Sequence, residues 1–182
     1  MKKPYPLHQA GASLIEVLVA VLILSFGMLS LGGMMAYGVQ LPRLAAYRAD
    51  AANLASSHVE RMRANAAGFD GGNYNVTMSH PGVLPIVVPC VYPNCAPDTL
   101  ATLDTDETNK ALRSALPSGG MRVTCNGACT DRSGDIWVLW LEPTTFASLN
   151  TASADECPDP LVAPVFVAFT TQPRCLHIKF QL

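Results

Sequence analysis

Between Val17 and Pro42 the sequence carries no Asp, Glu, Lys or Arg, and no cysteine precedes Cys90. At 1.5 Å per residue, the uncharged stretch covers the roughly 30 Å hydrocarbon core of a bilayer with some to spare. All six cysteines, Cys90, Cys95, Cys125, Cys129, Cys157 and Cys175, lie beyond it, which points to a carboxy-terminal part outside the reducing cytoplasm. Histidine is scarce, with only His8, His58, His80 and His177. There is no nucleophile elbow, H-E-x-x-H, phosphate loop or close histidine cluster, so no motif argues for an enzyme or a cofactor. C-x2-C knuckles are missing too. The C-x4-C and C-x3-C spacings favour disulfides over zinc. Their pairing stays open; the simplest scheme is local, Cys90 with Cys95, Cys125 with Cys129 and Cys157 with Cys175. On a chain-entropy argument, the two short loops would contribute roughly 2 kcal/mol each and the longest about 3 kcal/mol.

The formal net charge is −2, with both signs interspersed, so no nucleic-acid surface is expected. Lys2 and Lys3 precede the apolar stretch and Arg43 and Arg48 follow it, leaving the positive-inside rule nearly balanced. The cysteines break the tie and place the amino terminus in the cytoplasm. A secretory signal ends its shorter apolar core in a small-residue cleavage site. Here the order is inverted: a polar leader, MKKPYPLHQAG, ends in Gly11 and the apolar stretch follows. Glu16 lies near the start of that stretch with no basic residue beside it. A carboxylate near the centre of a span costs about 2.5 to 3.5 kcal/mol, and ionisable residues there signal function.

The order G|ASLIEVLVAVLIL resembles the class III signal of type IV pilins and their relatives. That resemblance implies cleavage after Gly11 by a prepilin peptidase, methylation of the new Ala12 amine by a methyltransferase, and retention of the apolar helix. Glu16 falls fifth after the cut, where the family has its glutamate. The resemblance implies that its carboxylate meets the terminal amine of a neighbouring subunit during assembly. Opposite charges meeting in low dielectric would favour one axial register. The alternative is that Glu16, one turn from the new terminus, reaches interfacial water. Ala12 stands where phenylalanine is usual in the family, and Ser13 where threonine is common. Loss of Lys2 and Lys3 with the leader would leave 10 of the 12 basic side chains against 14 acidic ones, a side-chain net of −4.

The pattern divides the chain into a leader (1–11), an apolar helix (12–42), an amphipathic continuation (43–67) and a cysteine-containing head (68–182). In the continuation Leu44, Tyr47, Ala51, Leu54, Ala55, Val59 and Met62 recur at three- and four-residue steps. The joined helix would measure about 54 residues and about 80 Å. Pro42 should bend it. Gly32 and Gly33 are the expected site of local unwinding in a filament, or else of close helix packing. Gly68 is a candidate C-cap and Gly71-Gly72 a turn. A proline-rich loop through Pro97 follows. A short helix is expected in DTDETNKALRSA, capped by Asp104 or Thr105. Four runs read as strands: MRVTC, DIWVLWLE, PVFVAFT and the alternating CLHIKFQL. The fold class is α+β, a long amino-terminal helix packed on a four-stranded antiparallel sheet. It agrees with the pilin-like fold that the resemblance implies.

Cysteines flanking VYPN, a helix ending in ALPSGGMRVTC, the WVLWLE strand and a cysteine in the last strand together resemble the minor pilins called PilV, the type IV pilus modification proteins. That implies a structural subunit in a tip-associated complex. Its partners would be other minor pilins, the major pilin and the inner-membrane assembly platform. The head would be periplasmic in a Gram-negative bacterium before assembly and on the pilus afterwards. A type II secretion minor pseudopilin shares the same leader and is the alternative. A DNA-binding pilin is weaker, because Asp50 and Glu60 interrupt the stripe of Arg43, Arg48, Arg61 and Arg63. An anchored enzyme is weaker still. His58 reads as a helix-surface residue and His177 as a solvent-face strand residue. Asp104, Asp106 and Glu107 read as helix-start acids rather than calcium ligands. No metal is expected. Trp137 and Trp140 should point to opposite sheet faces, one into the core.

Overall fold

The computed structural model describes residues 11, 13–76, 86–91, 93, 95–141, 157 and 173–182. Contacts divide the chain into two units, one ending at Arg43 and one beginning at Leu44. Helix α1, Leu14–Ala64, has Pro42 within it.

In the first unit α1 begins on the Ser13 carbonyl, which accepts from the Glu16 and Val17 amides at 3.0 and 3.2 Å. Among the apolar turns the Ser25 hydroxyl donates back to the Leu22 carbonyl at 2.7 Å, so it presents no unpaired donor to an apolar surrounding. Gly32 and Gly33 are helical, and a methyl on either would meet nothing within 4 Å.

In the second unit Ala51, Ala55, Val59 and Met62 are buried along one stripe of α1, with Tyr47 and Leu54 partly buried beside them. They pack on one face of an antiparallel sheet of β1 (Gly120–Cys125), β2 (Ser133–Trp140) and β3 (Arg174–Gln181), in that order. The register aligns Val123 with Ile136 and Ile136 with Ile178 on the core face. The same face carries Met121, Val138, Trp140 and Phe180. Among the described residues the sheet has three strands; the PVFVAFT run, expected as a fourth, lies outside them. Of the two tryptophans, Trp140 is core. Trp137 faces the other way, stacked on His177 at 4.7 Å between ring centres, with the Arg122 guanidinium 5.5 Å above its ring. His177 shares that face but is half-buried rather than solvent-exposed, and Asp135 accepts from its Nε2–H at 2.7 Å.

Three local expectations are corrected. Helix α3 spans Pro97–Ala115 and starts well before Asp104. Pro97 sits in its first turn, where a missing N–H costs nothing and a fixed φ suits the helix. Asp104 is therefore an interior residue, 6% exposed, not a cap. The longer α3 covers the side of α1 that carries His58, which is wholly buried rather than on the helix surface. Gly68 is no C-cap either: it lies inside a short helix α2, Ala66–Asp70, which ends at Gly71. Asn65 separates α1 from α2 and holds the junction. Its Oδ1 accepts from the Gly68 amide, and its Nδ2 donates to Tyr74 Oη at 3.1 Å and the Pro97 carbonyl at 2.8 Å. A Cβ on Gly68 would come within 2.4 Å of Asn65 Nδ2 and 2.7 Å of the Pro97 oxygen.

Gly68→Ala should thus push α3 off the junction and cost about 2 kcal/mol or more of stability. Asn65→Ala should cost a similar amount by leaving buried donors and acceptors unpaired. Thermal unfolding of the full chain in detergent measures both, and Asn73→Ala, on an exposed turn, should change little.

Candidate functional site

Two arrangements carry the chemistry, one in each unit. The first is the amino-terminal end of α1. Gly11 is exposed, and Glu16 occupies the first turn with its side chain open to the surroundings. Ala12 lies outside the described residues, as does the leader before Gly11. From Leu14 to Leu41 every large apolar side chain on α1 is exposed. Among the described residues, this is the one helix long and apolar enough to cross a membrane, with a windowed mean hydropathy of 2.5 and none of that window buried. Such a helix fits lipid or other helices, which alone offer cover to so much apolar surface. A carboxylate in its first turn is favoured by the positive end of the helix dipole.

The second arrangement is a buried polar cluster between α1 and α3. Asp104 is its hub, accepting from Tyr74 Oη at 2.6 Å and from Arg61 Nη1 at 3.0 Å. Arg61 also donates to Glu107 at 2.6 Å. The Thr108 hydroxyl donates to the Asp104 carbonyl at 2.7 Å, so it must accept from His58 Nδ1–H at 2.9 Å. That fixes the neutral tautomer and leaves Nε2 buried with no partner. Burial, opposed in part by Asp104 and assisted by Arg61, lowers the His58 pKa to about 4. Burial, then the hydrogen bond to Asp104, pushes the Tyr74 pKa up. Every member is engaged in holding α3 against α1, an arrangement that serves structure.

The six cysteines form three bridges, Cys90–Cys95, Cys125–Cys129 and Cys157–Cys175. No metal-holding group of His, Cys, Asp or Glu occurs among the described residues. Asp104 and Glu107 are bound to Arg61 instead. Of the arginine stripe weighed for DNA, Arg61 faces these carboxylates, and Arg63 pairs with Glu60 while donating to the Gln181 carbonyl. Neither the pattern nor the spacing of the sequence had marked Tyr74 as a partner of Asp104 or His58 as a partner of Thr108. The only available signal was His58 itself, adjacent to Val59 in the buried stripe.

Residues 7–32 match the prokaryotic N-terminal methylation motif. This prepilin-type leader supports a type IV pilin or pseudopilin and implies processing by a prepilin peptidase. Together with the apolar helix it fits a membrane-anchored pilin. No curated protein and no solved structure matches the chain.

The cluster makes stability pH-dependent. Unfolded, His58 takes up a proton near pH 6.5; folded, only near pH 4. Stability contributed by the neutral imidazole is therefore complete above pH 6.5 and lost as pH falls toward 4, by about 3 kcal/mol in total. Denaturation of the full chain at pH 7.5, 5.5 and 4.5 should show this slope, and His58→Gln should flatten it.

Proposed function

We propose that the chain is a minor pilin of the PilV kind, a structural subunit rather than a catalyst, that helps to initiate or modify type IV pilus assembly. The observation that carries this reading is the leader motif at residues 7–32, joined to an apolar helix that no described residue covers and followed by a disulfide-bridged head. Cleavage after Gly11 would place the Ala12 amine one turn from Glu16. In the filament that amine would lie near the Glu16 carboxylate of the next subunit, pairing charges that lipid disfavours. Its partners would be other minor pilins, the major pilin and the inner-membrane assembly platform. The head would be periplasmic in a Gram-negative cell until assembly carries it to the surface.

A type II secretion minor pseudopilin would use the same leader and helix, and the fraction that retains the protein separates the two. Mass spectrometry of sheared pili should find the chain beginning at a methylated Ala12. Recovery only with a secretion complex would favour the pseudopilin, and a chain retaining residues 1–11 would reject both. Glu16→Ala should leave membrane insertion and leader removal intact. It should lower the amount in pili about tenfold, the effect of losing roughly 1.4 kcal/mol of pairing energy, as read by immunoblot of sheared pili.

A further inference from the structure

Among the described residues, every exposed large apolar side chain lies either on α1 between Leu14 and Leu41 or in one loop of the head. That loop exposes 85% of Ile86, 69% of Val88 and 75% of Val91. The Cys90–Cys95 bridge closes a ring that holds Val91 directly before α3, with Ile86 and Val88 just ahead of it. The chain beyond it is fixed in turn, because the Pro97 carbonyl accepts from Asn65. An apolar surface anchored at one end by a covalent ring and covered by none of the described residues marks an interaction site, and the short ring around Val91 limits the entropy lost there on binding.

The neighbouring charges say what fits there. Val88 lines a groove of about 290 Å³ together with Leu103, Asp98, Thr102 and Asp106 of α3. Asp98, Thr102 and Asp106 follow one another at four-residue steps and so share a helix face. Among the described residues no lysine or arginine lines the groove, and neither Asp98 nor Asp106 has an ion-pair partner. The Asp98 carboxylate accepts only from its neighbour Thr99, through the amide at 2.8 Å and the hydroxyl. Burial already raises the pKa of Asp106. A purely apolar partner seated on Val88 would strip water from these carboxylates and offer nothing in return. Anionic lipid or phosphate would be repelled.

We propose that Ile86, Val88 and Val91, beside the Cys90–Cys95 bridge, and the Asp98–Asp106 face of α3 form a docking surface for a protein partner that presents an apolar side chain flanked by lysine or arginine. The apolar contact supplies affinity, and the carboxylates set orientation and exclude acidic competitors. This surface lies in the head and is independent of the leader and Glu16.

The test places a benzophenone amino acid at Val91 of the full chain in its own cells and identifies the irradiated adduct by mass spectrometry. The expected result is one protein adduct whose linked peptide contains lysine or arginine. Its yield should fall about fivefold in the Asp98→Lys, Asp106→Lys double variant, as loss of two exposed charge pairs requires. An absence of adduct, adducts to lipid alone, or a yield indifferent to charge reversal would overturn the proposal. If the double variant does not accumulate, salt titration of the Val91 adduct in isolated membranes replaces it. A yield that falls with salt supports the surface, and a salt-independent yield overturns it.

Discussion

No described residue covers the apolar half of α1, and what that half can pack against follows from this constraint. Eighteen large apolar side chains stand open from Leu14 to Leu41, representing a transfer free energy on the order of 1 kcal/mol or more apiece. Such a surface is compatible with a bilayer and with other helices, since each supplies cover without demanding hydrogen bonds. Glu16, in the first turn, is what distinguishes this helix from a plain anchor. An anchor gains nothing from a carboxylate, whereas an assembly that must choose one register does.

The head meets the opposite requirement, because it closes on a core of its own. It does so with a modest apolar core and a set of short polar ties. Asn65 joins α1, α2, the Tyr74 turn and the start of α3 through one amide. Asp104 joins α3 to Tyr74 and Arg61 through one carboxylate. On the surface, Arg132 holds Asp70 through two hydrogen bonds, at 3.0 and 2.7 Å, and so links α2 to the segment leading into β2. Hydrogen bonding to Arg132 keeps the Asp70 carboxyl below its usual range. Buried groups of the first two kinds are costly when one member is lost, so they specify a single packing arrangement more than they add to overall stability.

What was legible in the sequence was whatever depends on period. The run without charge, the buried stripe of Ala51, Ala55, Val59 and Met62, and the alternation that turns Ile178 and Phe180 inward all follow from helix or strand geometry. The candidate assembly site was legible through order along the chain, since a glycine, an apolar start and a glutamate stand in fixed succession. What escaped was long-range covering. Pro97 looked like the end of a proline-rich loop and is instead the first turn of α3. That extension turned Asp104 from a cap into a hub and buried His58. Gly68 looked like a helix end because glycine commonly serves there, but its missing side chain makes room for the Pro97 carbonyl, a contact between residues far apart in sequence.

The three bridges link cysteines in strict succession along the chain, first with second, third with fourth, fifth with sixth. In the proposed export of the head the thiols would reach an oxidising compartment in that same order, so an oxidant that joins each newcomer to the nearest unpaired neighbour would already produce the native connectivity. Maturation of the head can therefore proceed by oxidation alone, without the slow thiol exchange that interleaved crosslinks require.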